Sequence, residues 1–278
     1  MRAAIDIGSN SVRLARSDGK TFSEITKLAD GIEATGALSL VGVAATLDVI
    51  KRYANMCKDC DRVDVFATEA VRRATDGSAF CAEVLKTSGL TVRILSGEEE
   101  AKLALCGAVK PKGKVCVCDL GGGSMELISS RDGVTPEYIK SLPLGVVVLK
   151  NRFRGDFRAA IDGAPALVAD YGKVPRYPLV VIGGSACAIA AAHLNLNVYD
   201  KARIDGATIT AAELDGMLPM LMSKDLPVFR PLCAKRADTL PYGAIIIGAL
   251  LNHLGLDRFT VSDSGNLAAA LSGALDQP

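Results

Sequence analysis

Ile5-Asp6-Ile7-Gly8-Ser9-Asn10-Ser11-Val12-Arg13-Leu14 lies over Cys118-Asp119-Leu120-Gly121-Gly122-Gly123-Ser124-Met125-Glu126-Leu127 without a gap. Asp, Gly, Ser and Leu coincide, and two further apolar positions pair. In each stretch an apolar run ends in Asp, small residues follow, and a second run with apolar residues begins. Apolar runs broken by Gly and Ser read as two strands joined by a tight turn. The same hairpin written twice points to a duplicated domain. Two similar domains are therefore expected, divided near Lys114 into 1–113 and 114–278, with the terminal helix a candidate to return to the first. Each domain is expected to present its turn to the cleft between them.

Working outward, strands alternate with helices. Ala3 to Ile7 and Val12 to Ala15 form the first hairpin, and Val115 to Asp119 and Met125 to Ser129 the second. Ser39 to Met56 is a predicted helix, with Val43, Leu47, Ile50 and Ala54 on one face. Val63 to Ala67, Thr91 to Leu95, Leu179 to Ile182 and Phe259 to Ser262 read as strands. Ser78 to Ser88, Ala186 to Leu194, Thr210 to Met222, Tyr242 to Leu254 and Gly265 to Leu275 read as helices, and Pro165 to Gly172 as helix or loop. Ser96 opens a further helix, because Glu99 three residues on completes a capping-box pattern. The class is α/β.

Composition narrows the function. The 278 residues are 49% hydrophobic and 23% charged, enough for a sizeable core. The formal net charge is +1, aromatics make up 5%, and Trp is absent. No global field attracts nucleic acid or a membrane, and no exposed aromatic platform for single strands is indicated. A bound polyanion must be held by local groups. The polar N-terminus is unlike a signal peptide, and no apolar run reaches the length of a membrane span. With eight cysteines that read as reduced thiols, the expectation is a cytoplasmic protein. Cys57-x-x-Cys60 and the strand pair Cys116 and Cys118 have zinc-like spacing. Residues two apart in a buried strand share one face, so Cys116 and Cys118 read better as small core hydrophobes.

Five stretches carry potential chemistry. Gly121-Gly122-Gly123-Ser124 lets a ligand reach the backbone, and successive N–H groups in such a turn form an anion-binding concavity. Gly8-Ser9-Asn10-Ser11 can do the same with side-chain donors added. Asp6 and Asp119 end apolar strands beside these turns, where an isolated charge is costly and Mg2+ or its bound water relieves it. Glu126 is balanced between this acidic group and the solvent side of an alternating strand. In Ser96-Gly97-Glu98-Glu99-Glu100, helix-dipole complementarity and capping explain the first acids, but not Glu100. In Thr68-Glu69-Ala70-Val71-Arg72-Arg73, Arg72 reads as a solvated helix face, with a bidentate phosphate clamp the alternative. Gly183-Gly184-Ser185 follows a buried strand and opens a helix, again suited to an anion. Lys150 to Arg154 reads as a solvated helix face, and His193 and His253 as structural.

Together these segments resemble the exopolyphosphatase and guanosine pentaphosphate phosphatase family. Ser141-Leu142-Pro143-Leu144-Gly145 and Arg236-Ala237-Asp238 also match, and all occur in family order over nearly the whole chain. The motif around Glu99 and Glu100 is the specific one, since the wider kinase, actin and heat-shock superfamily shares the Asp-Gly turns. The resemblance implies two actin-like, ribonuclease H-like domains, with mixed sheets flanked by helices and the active site in the interdomain cleft. It implies that Glu100 positions or deprotonates the attacking water. Asp119 and Glu126 would organise Mg2+, with Asp6 opposite. Ser9, Asn10, Ser11, Arg13, Arg72, Gly121 to Ser124 and Gly183 to Ser185 would bind phosphate. The implied substrate is inorganic polyphosphate, with guanosine pentaphosphate the alternative, and the resemblance points to a homodimer. Val148, Asp205, Ser264 and Leu267 depart from the pattern: three stand where basic groups are common, and Asp205 where a His is. A binding-only sensor is therefore a third reading, and a superfamily kinase a fourth.

Overall fold

The computed structural model describes residues 1–108, 113–223 and 236–276. The chain divides into two compact units: Met1–Gly107 with Asn266–Pro278, and Ala108–Gly265. In the first unit lie β1 (Arg2–Ile7), β2 (Ser11–Arg16), β3 (Thr21–Ile25), β4 (Arg62–Ala67) and β5 (Val92–Ile94). Its sheet runs β3-β2-β1-β4-β5, antiparallel from β3 to β1 and parallel from β1 to β5. Helices α1 (Ile32–Thr35), α2 (Leu40–Met56), α3 (Glu69–Arg73), α4 (Gly77–Ser88) and α5 (Gly97–Gly107) accompany it.

Strand β1 sits mid-sheet and buries both faces, so its two sets of side chains serve two layers. Ala3, Ile5 and Ile7 join a core with Val49, Ile50 and Tyr53 of α2 and Phe80 and Val84 of α4. Ala4 instead packs with Phe66, Leu95 and Leu103 of α5. Asp6, two residues beyond Ala4, shares that second face.

The second unit has β6 (Val115–Leu120), β7 (Met125–Ser130), β8 (Pro136–Leu142), α6 (Val146–Arg152), α7 (Phe157–Val168), β9 (Leu179–Ile182) and α8 (Gly184–His193). There follow α9 (Lys201–Ile204), β10 (Thr208–Thr210), α10 (Ala211–Met222), α11 (Leu240–Leu254) and β11 (Arg258–Ser262). Its sheet runs β8-β7-β6-β9-β11-β10. The order repeats the first sheet, with an antiparallel meander, then parallel β9 and β11, and β10 added antiparallel at the edge. The architecture is thus two mixed sheets flanked by helices, as expected. α8 and α11 are buried on nearly every side, as befits helices inside a layer. Among the described residues no helix is long and apolar enough to cross a membrane.

Some boundaries differ from those read in the sequence. The chain returns to the first unit at α12 (Asn266–Leu271), whose Ala269 and Ala270 close the core around Ala4 and Phe66. The last predicted helix stops at Leu271, where Ser272-Gly273 lead into a 3-10 turn over Ala274–Asp276. Pro165 lies inside α7, and Ala169–Tyr171 is a 3-10 turn. Cys57 and Cys60 are free thiols, as are Cys116 and Cys118, and burial pushes the Cys116 thiol up to about 12. His253 Nε2 lies 2.9 Å from the Gly172 carbonyl oxygen.

Candidate active site

The repeated turns have one geometry. Gly8 N–H donates to the Ser11 carbonyl at 3.0 Å, and Gly121 N–H to the Ser124 carbonyl at 3.0 Å. In both, the turn carbonyls are taken up by the segment that follows. Asn10 O accepts from the N–H groups of Thr26 and Lys27, and Ser9 O from Ala29. Gly121 O accepts from Val146, and Gly122 O from Val147 and Val148, at the start of α6. Among the described residues, no backbone carbonyl accepts from the N–H groups of Ser9, Asn10, Gly122 or Gly123. Each turn therefore has its acceptors satisfied from behind and keeps backbone donors for a ligand, the polarity an anion needs. A Cβ on Gly145 would fall on the Gly122 carbonyl, so glycine there is what lets α6 close against the turn.

In the first unit Asp6 is opposite Arg13 across the β1–β2 hairpin. Asp6 Oδ2 accepts from Arg13 Nε at 3.1 Å and also from its Nη2. Asp6 is 3% exposed, and among the described residues its buried Oδ1 has no hydrogen-bond partner. Such an orphan acceptor costs about 1–3 kcal/mol unless something is bound to it.

Glu100 stands in the first turn of α5, fixed by the helix start. Ser96 N–H donates to Glu99 at 2.7 Å, and Glu99 N–H returns to Ser96 Oγ at 3.2 Å, completing the expected capping box. Glu100, next along, turns inward and is 3% exposed. Its Oε2 accepts from Arg72 Nη1 at 2.7 Å. Arg72 is not a solvated helix face: it donates also to Glu69 at 2.6 Å and to the Leu95 carbonyl. Burial works to lower the Arg72 pKa, but hydrogen bonding and charge from Glu100, with Glu69 adding to them, hold it above its ordinary value. Glu69 was not singled out in the sequence, although its i,i+3 spacing to Arg72 is a readable helical pair.

In the second unit Asp119 pairs directly with Glu126 across β6 and β7. Both are buried, and Glu126 accepts from Ser141 Oγ at 2.7 Å. The solvent-side reading of Glu126 is corrected, because β7 is covered on both faces. Directly opposite carboxylates repel, and burial sharpens the cost. Gly183 has φ 107°, and a Cβ there would come 2.5 Å from the Leu120 carbonyl oxygen and 3.5 Å from Asp119 Oδ1. This close turn sets the N-terminus of α8, with buried Ser185, beside Asp119. The Arg236 guanidinium lies against Gly184, where a Cβ would be.

The donor set suits Mg2+. The ion takes carboxylate oxygens with waters and substrate phosphate, not a cage of protein ligands. Asp119 and Glu126 form an acidic pair that a divalent cation would relieve. Among the described residues no three His, Cys, Asp or Glu side chains gather to hold a metal.

A model of the Ppx/GppA phosphatase family matches residues 20–267. The chain belongs to that family. Exopolyphosphatase 2 of Mycobacterium tuberculosis is 28% identical over 322 residues, covering 98% of this chain and 98% of that protein. A bifunctional 3-dehydroquinate synthase/phosphatase of Fusobacterium nucleatum is 24% identical, and the chain spans 46% of its length. The crystal structure of the Aquifex aeolicus member of the Ppx/GppA family superimposes with a TM-score of 0.79 at 29% identity, covering 99% of this chain and 97% of that one.

Proposed function

We propose that the chain is a magnesium-dependent exopolyphosphatase that releases terminal orthophosphate from inorganic polyphosphate by attack of water. The observation that carries this reading is Glu100, a buried carboxylate fixed by Arg72 at 2.7 Å on a capped helix start. A buried acid held so firmly suits a group that must orient one water and take its proton. The likeness to an exopolyphosphatase over the full length of both chains supports polyphosphate as the substrate.

In this reading each turn by itself, and the N-terminus of α8, is suited through its backbone N–H groups to phosphate oxygens. Ser9, Asn10, Ser11, Ser124 and Ser185 add side-chain donors, and Arg13 is placed by Asp6 beside the first turn. Asp119 and Glu126, facing each other across β6 and β7, would hold the metal. When bound, Mg2+ withdraws charge from the phosphate oxygens. Glu100 accepts a proton from water as its oxygen bonds to the terminal phosphorus. The bond from that phosphorus to the bridging oxygen breaks, and the shortened chain leaves with the electron pair. Positioning and charge neutralisation supply most of the acceleration in such transfers.

The test is orthophosphate release from medium-chain polyphosphate with Mg2+, with Glu100→Gln in parallel. Wild type should release phosphate, and Glu100→Gln should lose at least about a hundredfold in kcat while keeping its far-ultraviolet circular dichroism. A wild type that folds but releases nothing would overturn the reading. Faster turnover of guanosine pentaphosphate would transfer the same mechanism to the nucleotide.

A further inference from the structure

Arg72 is committed on both edges of its guanidinium. Nη1 serves Glu100 at 2.7 Å and the Leu95 carbonyl, and Nη2 serves Glu69 at 2.6 Å. The side chains of Glu69, Arg72 and Glu100 are 13%, 26% and 4% exposed, so the chain of contacts is largely shielded from water. Other charged groups on the surrounding elements have partners of their own: Glu99 with Arg93, Glu98 with Lys102, Arg73 with Glu33, and Asp276 with Arg2 and Arg62. A phosphate ligand needs parallel N–H groups turned toward the anion. Here those groups point at two carboxylates and a carbonyl.

We propose that Glu69 is a positioning residue: it locks Arg72 so that the guanidinium is spent on orienting Glu100 and not on binding phosphate. This rests on the reading of Glu100 as the water-orienting base. With a single acidic partner, Arg72 would be free to rotate toward an incoming polyanion, and Glu100 would lose its fixed orientation. Glu69 removes that freedom. Because Arg72 is held through Nη1 and Nη2 together, the Glu100 carboxylate is fixed at Oε2.

The experiment has a kinetic arm and a structural arm. Wild type, Glu69→Gln, Glu69→Asp and Arg72→Lys are assayed on polyphosphate with Mg2+, and the guanidinium 15N–1H signals of Arg72 are followed by NMR. Glu69→Gln should lower kcat by about tenfold to a hundredfold, as a misplaced catalytic group does, with KM changed less than about twofold. Glu69→Asp should recover part of the loss, because it restores the charge. Slow rotation about the Arg72 Cζ–Nη bonds should be seen in wild type and lost in Glu69→Gln. A raised KM at unchanged kcat in Glu69→Gln or Arg72→Lys would make Arg72 a phosphate ligand and overturn the proposal. Unaltered Arg72 signals in Glu69→Gln would overturn it as well. If wild type releases no phosphate, the hydrolase reading fails by itself, and the NMR arm still decides whether Glu69 holds Arg72.

Discussion

Ser141 donates its hydroxyl proton to Glu126 at 2.7 Å from the neighbouring strand, β8. The bond aims one of two facing carboxylates, so it should matter to any cation they share. Removing a group that orients a metal ligand typically costs about 10–100-fold in affinity. Ser141→Ala should therefore bind Mg2+ about tenfold or more weakly by titration calorimetry, with unfolding little changed. Equal Mg2+ affinity would remove Glu126 from the metal set. Gly145 gives a second test, since a Cβ there meets the Gly122 carbonyl and comes 2.5 Å from Gly123 N. Backbone cannot yield as a flexible side chain does. Gly145→Ala should cost about 1–3 kcal/mol in denaturant unfolding, as overpacking does, and raise KM for polyphosphate by displacing the turn. At this scale the two turns and their Asp residues were legible because small residues and strand-end acids stand out in one dimension. The orientation of Glu126 was not legible, because alternation does not say whether a second face is covered. Nor was the commitment of Arg72, which depends on a carboxylate from another helix.

Helix α5 shows how an element places the Glu100 side chain. Ser96 and Glu99 exchange backbone hydrogen bonds, and Glu99 also accepts from Arg93 at 2.5 Å. The Ser96 backbone N–H, then Arg93, pull the Glu99 carboxyl down to about 2 from its ordinary value of 4.5. A carboxyl depressed in the folded state adds stability above its unfolded pKa, and that stability is lost as pH falls. Acid should thus weaken the fold from about pH 4.5 down to about pH 2 through this group, and Glu99→Gln should flatten that part of the pH–stability profile. Glu99 is 39% exposed, so water screens the effect. Ser96→Ala should cost about 1 kcal/mol at neutral pH and lower kcat, because the cap also sets the angle of Glu100. A variant that loses this stability but keeps the wild-type kcat would detach the cap from the site. The box was readable from two residues at fixed spacing. The edge strands β3, β8 and β10 were not: each is partly exposed, so none has the continuous apolar run that marked β1, β6 and β9.

Over the whole molecule, one duplicated plan explains both sheets. The ungapped match between the two hairpins foretold two domains built alike, and the strand orders and turn hydrogen bonds repeat accordingly. Helix periodicity names a buried face and not the surface it covers, so the sequence offered the terminal helix only as a candidate to return to the first domain. α12 and the turn after it lay Ala269 and Ala270, with Leu267, Leu271 and Leu275, over Ala4, Phe66, Leu95 and Leu103. Arg2 and Arg62 meet Asp276 at the rim. The two contributions are of different size. A fully buried leucine is worth about 1.5–3 kcal/mol, whereas a partly exposed ion pair is worth about 0–1 kcal/mol. Even at half burial the apolar strip adds several kcal/mol, against about 5–15 kcal/mol for an ordinary domain. Deleting residues 266–278 should therefore lower the urea midpoint of the first unit sharply, or leave it aggregated, with an apolar face open beside Glu100. Asp276→Ala should shift the same midpoint by less than about 1 kcal/mol. The two variants separate the terms: if Asp276→Ala were as damaging as the deletion, the segment would act as an electrostatic clasp. An undiminished midpoint in the deletion would show that the strip around Ala4 and Phe66 closes without α12, and that the first unit is complete by Gly107.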